Sequence, residues 1–142
     1  MTPDRAEIAR QLFEGMPDAL VVADRAGIIR HWNGGAERIF GFAEGEALGR
    51  SLDIITPERL RARHWRGYET TMRTGHTEYG AGDLLAVPAL RKDGAQISIQ
   101  FSIVPLRDAE GALQAIAAIM RDVTEDFEDR KRLRRALREA EG

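Results

Sequence analysis

No cysteine occurs among the 142 residues. Disulfides, thiolate metal sites, cysteine nucleophiles and cysteinyl–flavin photochemistry are excluded with it. Long apolar runs are missing too: nothing approaches the roughly 20 residues of a membrane helix, and the opening MTPDRAEIAR lacks the apolar centre of a signal peptide. The expectation is a cytoplasmic protein with no membrane partner. Nor does charge of one sign dominate. Lys and Arg number 21 against 23 Asp and Glu, and a net charge of -2 gives no electrostatic ground for binding nucleic acid. What is present is 43% hydrophobic and 31% charged residues, the balance of a globular protein, in a length that suits one domain with short extensions.

Residues 56–75, TPERLRARHWRGYETTMRTG, carry the punctuation of a helix. Thr56 is placed to cap the first turn, Pro57 suits the first helical position, and Gly75 suits a left-handed end. Leu60, His64, Tyr68 and Met72 recur at four-residue spacing and share one face, while Arg59, Arg61, Arg63, Arg66 and Arg73 mostly lie elsewhere. A histidine within an apolar stripe has two readings. A neutral imidazole facing a pocket can ligate iron, whereas a core histidine simply bonds a backbone carbonyl.

Ahead of this stretch, residues 3–15 read as a short amphipathic helix with Ile8, Leu12 and Phe13 on one face, expected to pack on its own domain or on a partner. Residues 19–23 form a β-type run, Asp24-Arg25-Ala26-Gly27 a turn, and residues 28–32 a second strand, which makes a hairpin. Asn33 caps a two-turn helix that ends at Gly41, and another short helix lies near residues 44–48. After Gly75 the pattern becomes strands. Residues 79–90 are apolar and glycine-punctuated, RKDG is a turn, and residues 96–106 alternate, with Ile97, Ile99, Phe101 and Ile103 on one face and Ser98, Gln100 and Ser102 on the other. Asp108 to Gly111 turns the chain into a buried strand over residues 113–120. The economical architecture is α+β: a five-stranded antiparallel sheet with helices on one face.

From Arg121 the composition shifts to a charged helix that Thr124 is placed to cap, acidic early and basic later, as suits the helix dipole. Leu133, Leu137 and Ala140 fit a seam that Arg130 interrupts, so the coiled-coil signal is short. The helix is either a solvated charged helix or a connector to a neighbour, and its EAEG end is expected to lead into a longer chain.

Asp18-Ala19 through Gly27-Ile28-Ile29, Trp32-Asn33 with 36–42 AERIFGF, Arg91-Lys92-Asp93-Gly94 and Arg121-Asp122-Val123-Thr124-Glu125 together resemble the PAS family of sensory domains, over about residues 14–125. The resemblance implies the PAS fold and signal reception without enzymatic turnover. It divides the chain into an N-terminal flanking helix (1–15), a sensor domain (16–122) and a C-terminal linker helix (123–142). It also implies a homodimer through the flanking helices and a downstream kinase, cyclic-di-GMP or other output domain.

Residues 56–75 look like the corresponding helix of the haem-binding PAS oxygen sensors of nitrogen-fixing bacteria. Aligned on Thr74-Gly75, His64 takes the iron-ligating position; aligned on Gly67-Tyr68, Trp65 does, about 100° around the helix. The apolar stripe favours His64. This resemblance implies haem b on His64, with Tyr68, Met72, Leu85, Phe101 and Ile103 around it. Phe101 and Ile103 match distal apolar positions. Leu85 stands where those sensors carry an arginine that hydrogen-bonds bound oxygen, and leucine offers only packing. Weak or easily oxidised oxygen complexes are therefore expected, with CO, NO or redox state better signals than O2. His76 and Tyr79 are the other polar groups available to the distal side.

Other constellations point elsewhere. His31 and His76 do not share a metal spacing with His64. Residues 80–83, GAGD, lack the Lys-Ser/Thr of a phosphate loop and read as a flexible strand entrance. Ser51, Ser98 and Ser102 have no evident base. Trp32 suits a core anchor better than a flavin platform. Two alternatives to haem sensing stay open: a ligand-free dimerisation module, and a receptor for flavin or a small metabolite.

Overall fold

The computed structural model describes residues 1–76 and 85–141, Leu85 by its backbone alone. Helix α1 (Arg5–Gly15) leads into strands β1 (Ala19–Asp24) and β2 (Ile29–Trp32). Short helices α2 (Gly34–Phe40) and α3 (Glu44–Ala47), two 3-10 turns (Leu52–Ile55 and Glu58–Leu60) and helix α4 (Arg61–Thr74) follow. Strands β3 (Leu85–Leu90), β4 (Gln96–Arg107) and β5 (Leu113–Asp122) then precede helix α5 (Thr124–Glu141). The five strands form one antiparallel sheet in the order β2-β1-β5-β4-β3.

Register explains the core. Trp32 pairs with Val21, Val21 with Ala118 and Ala118 with Ile103, so the row crosses four strands on one face. Met120 pairs with both Ala19 and Phe101 in the next row. Ala36 and Phe40 of α2, Ala47 of α3 and Ile55 of the first 3-10 turn bury against this face, together with Ile97, Ile99 and Trp32. The alternation of β4 thus places Ile97 and Ile99 inward as expected. Trp32 is 1% exposed, and its indole N–H donates to the Phe42 carbonyl at 2.9 Å, which makes it the core anchor.

Asn33 organises the corner where α1, β1 and α2 meet. Its Oδ1 accepts from the N–H groups of Leu20 (2.8 Å) and Ala36 (2.9 Å), and its amide donates to the carbonyls of Phe13 (2.9 Å) and Asp18 (3.1 Å). All of its bonding capacity is used, which is what a buried amide requires. Gly35 lets this corner close, since a Cβ there would stand 2.0 Å from the Asp18 carbonyl oxygen.

Three local expectations are corrected. The second strand begins at Ile29, because Ile28 makes an isolated bridge to Ser51 instead. Helix α4 begins at Arg61, not after Thr56: the Thr56 hydroxyl donates back to the Leu52 carbonyl at 2.9 Å, and Pro57 opens the 3-10 turn. Thr124 does not cap α5 with its side chain. Its hydroxyl accepts from the Ser98 N–H (2.9 Å) and donates to Asp122, whose carboxylate takes the Thr124 N–H (2.9 Å). The expected end of α4 stands, with Gly75 in the left-handed region at φ 77°.

Of the α1 face, Ile8 and Leu12 are exposed at 43% and 58%, while Phe13 is half-buried with its ring edge-on to His31. Leu133 and Leu137 of α5 are exposed at 65% and 62%. Among the described residues, no helix is long and apolar enough to cross a membrane.

Candidate functional site

Helix α4 lies with Tyr68 and Met72 against β4 and β5. Met72, Leu113 and Ile116 form a second buried cluster, with Tyr68 and Ile103 packed on it. The helix is fastened by polar bonds to the turns beneath it. The Tyr68 hydroxyl donates to the Asp24 carbonyl, and Arg25 reaches the carbonyls of Leu113 and Met72, the latter at 3.4 Å. Arg107 holds the end of the helix through the Gly75 carbonyl at 2.6 Å. Burial, reinforced by the nearby Asp24 charge, raises the Tyr68 hydroxyl well above the ordinary phenol range. Tyr68 is therefore a neutral donor committed to the fold.

His64 sits one turn before Tyr68, half-buried, with its ring 4.8 Å from that of Trp65 and 5.9 Å from that of Tyr68. Its Nδ1 is buried and has no hydrogen-bond partner. Burial lowers its basicity, and the negative charge of Asp53 opposes this only in part. The outcome is a neutral imidazole with an unsatisfied ring nitrogen. A buried polar atom of this kind costs about 1–3 kcal/mol, and a ligand or donor at that atom would remove the cost.

Trp65, half-buried with its ring 5.4 Å from that of Tyr68, is held by contacts of its own. Its indole N–H donates to Asp53 Oδ1 at 2.7 Å, and its ring lies on the β1–β2 turn. A Cβ on Gly27 would stand 2.2 Å from two atoms of that ring, and Gly27 has φ 77°, so only glycine suits the position on both counts.

The structure brings His64, Tyr68, Met72 and Ile103 to one region through α4 and the second cluster. Phe101 packs instead against the larger core. The Leu85 backbone pairs directly with Phe101, while its side chain lies outside the described residues. Tyr79 and the GAGD stretch at 80–83 also lie outside them, and His76 is exposed. Among the described residues no three His, Asp or Glu side chains gather as a metal site. A single axial histidine needs no such group. The polar contacts of Asp24, Arg25, Asp53 and Trp65 were not read from sequence, where Trp65 entered only as the alternative to His64 and Asp24-Arg25 only as part of a turn. Their one sequence signal is Gly27 closing a turn, which does not reveal what lies on it.

A five-stranded antiparallel sheet with short helices and one longer helix on its inner face defines a one-sheet α+β fold. The family model described as PAS fold matches residues 13–126, and the chain belongs to the PAS family, a family of sensory modules of signalling proteins. It is 33% identical over 124 residues to the sensor protein FixL of Bradyrhizobium diazoefficiens, covering 87% of this chain and 24% of that protein. It is 31% identical over 127 residues to an uncharacterized protein of Azorhizobium caulinodans, covering 89% and 17%. The chain thus spans a quarter or less of the length of these relatives. Among solved structures, a PAS domain from Colwellia psychrerythraea superposes with TM-score 0.74 at 22% identity, over 86% of this chain and 99% of that one. An RNA-binding Light-Oxygen-Voltage receptor also gives TM-score 0.74 at 22% identity, over 94% and 37%. At these identities the two structures speak for the fold alone.

Proposed function

We propose that this PAS domain binds haem b through His64 and signals a diatomic gas or a change of redox state. The observation that carries the reading is the buried, unpartnered Nδ1 of a half-buried neutral imidazole on α4. The resemblance of α4 to the helix of the haem-binding PAS sensors, and the match to a protein named as a sensor, support it. Haem iron would supply an exchangeable coordination position and a one-electron couple. The protein's own part would be to hold the imidazole neutral in the region of Tyr68, Met72 and Ile103; the resemblance adds Phe101 and Leu85 to the residues that would line the haem. The missing cysteine separates the chain from photochemistry through a cysteinyl–flavin bond.

Residues 1–15 and 123–142 act as flanking signalling helices around a sensor domain at 16–122. The exposed Ile8, Leu12, Leu133 and Leu137 support homodimer contacts through them. A cytoplasmic kinase, cyclic-di-GMP or other output domain receives the signal, and the domain itself performs no turnover. The same exposed residues favour a second reading, a dimerisation module without cofactor.

The deciding experiment is the ultraviolet–visible spectrum of protein expressed with haem supplied, native against His64→Ala, in ferric, dithionite-reduced and CO-treated forms. A stoichiometric Soret band that His64→Ala abolishes is expected. A colourless native protein would leave the dimerisation reading, and a band untouched by the substitution would move the ligand elsewhere.

A further inference from the structure

We infer that Asp53 and Trp65 form one positioning unit that fixes the rotation of α4 and thereby the orientation of His64. The inference takes His64 as the ligating residue and so rests on the haem reading above. One helical position turns a side chain by about 100°, so the choice between presenting residue 64 or 65 depends on what holds the helix. Trp65 is held at both ends. Its N–H is bonded to Asp53, and its ring fills the space above Gly27 with no room for a methyl group. The indole cannot turn inward without breaking both contacts.

His64 has far less to hold it. Its Nδ1 has no partner, and the nearest ring is Trp65 at 4.8 Å, in an edge-on arrangement at 67°. The placement of the imidazole therefore follows from ring packing against Trp65 and Tyr68, and Trp65 is the nearer of the two.

Asp53 can bear this role because it is itself fastened. Its N–H donates to Ser51 Oγ at 3.0 Å, its carbonyl accepts from Arg61 at 3.2 Å, and its carboxylate lies 4.0 Å from the same guanidinium. Arg61 also donates to the Thr56 carbonyl at 3.0 Å. The first turn of α4 and the preceding 3-10 turn thus lock together at Asp53, and Trp65 passes that placement on to His64.

The test has two parts. In haem-free protein, the ring protons of His64, assigned with His64→Ala, are followed by carbon–proton correlation NMR. Asp53→Ala is expected to shift them away from their native position, and Asp53→Asn, which keeps an acceptor oxygen for the indole, to restore them. In haem titrations, Asp53→Ala and Trp65→Phe are each expected to weaken binding by roughly tenfold to a hundredfold. The double substitution should be no weaker than the worse single, because the two residues act as one unit. Trp65→Phe retains a ring over Gly27 and covers the case in which Asp53→Ala fails to fold, as judged by circular dichroism. Unmoved His64 resonances in Asp53→Ala, or single losses that simply add, would overturn the inference. If native protein takes up no haem, or takes it up equally after His64→Ala, the haem reading is what fails, and the NMR shift alone decides on the Asp53–Trp65 unit.

Discussion

Asn33 donates its side-chain amide to the backbone carbonyl of Phe13, twenty residues earlier in the chain, at 2.9 Å. The same side chain caps α2 and binds the start of β1, so the last turn of α1 and the sheet share one buried hydrogen-bond centre. Replacing it with alanine orphans four backbone groups, on α1, the entry to β1 and α2. Asn33→Ala should lower stability by about 2–4 kcal/mol, combining a lost cap with buried unsatisfied groups. Urea unfolding checks the magnitude, and hydrogen exchange should show the final turn of α1 losing protection most.

Glycine positions give opposite signs. Gly35→Ala drives a Cβ into the Asp18 carbonyl, a backbone atom that cannot step aside, and should cost about 1–3 kcal/mol or more. Gly67, inside α4, has open space around it. Gly67→Ala should therefore stabilise by about 0.8–1 kcal/mol through helix propensity alone. Chemical denaturation of both variants tests the pair; a destabilised Gly67→Ala would mean that another molecule or segment occupies that side of α4.

Asp24 sets an acid limit. Burial raises its pKa, but bonds from the Ile28 and Ala26 N–H groups and from Arg30 outweigh this, so it ends below its ordinary value of 3.8. A carboxyl depressed by folding contributes stability that is full above the unfolded value and is lost as pH falls through the folded one. The unfolding midpoint should drop below about pH 4 in the native protein. In Asp24→Asn, which cannot ionise, this part of the slope should be absent while stability near pH 7 is already reduced.

Thr124 joins α5 to the sheet through the Ser98 N–H. Thr124→Val keeps the shape and removes the acceptor, at a cost of about 1–2 kcal/mol. Amide exchange should accelerate at Ser98 and in the first turn of α5. Unchanged exchange at Ser98 would show that the hydroxyl does not hold this junction.

Much of the scaffold is legible because its signals are local. Asn33 before a two-turn helix, Gly75 after a long one, the alternation from Ile97 to Ile103 and the Gly94 and Gly111 turns each rest on a few adjacent residues. The start of α4 was not legible, since Thr56 bonds backward to Leu52 just as readily as it would cap forward. The candidate site divides the same way. Periodicity puts His64, Tyr68 and Met72 on one side of α4. The role of Trp65 depends on Asp53 and Gly27, twelve and thirty-eight residues away, and no helical period encodes that contact.

The register of β1 and β5 has a mechanical consequence. Ala19 lies opposite Met120, and Arg121 is paired with Asp18 at 3.1 Å, so the chain enters and leaves the sheet at the same end of two neighbouring strands. Tension applied between α1 and α5 would load the Arg121–Asp18 contact first and then open the β1–β5 pairing rung by rung from Ala19–Met120 toward Asp24 and Ala115. That is a zipper geometry, in which bonds fail singly and at low force, rather than a shear geometry in which they resist together. A small relative movement of the two flanking helices therefore acts on the middle of the sheet without having to stretch the whole domain.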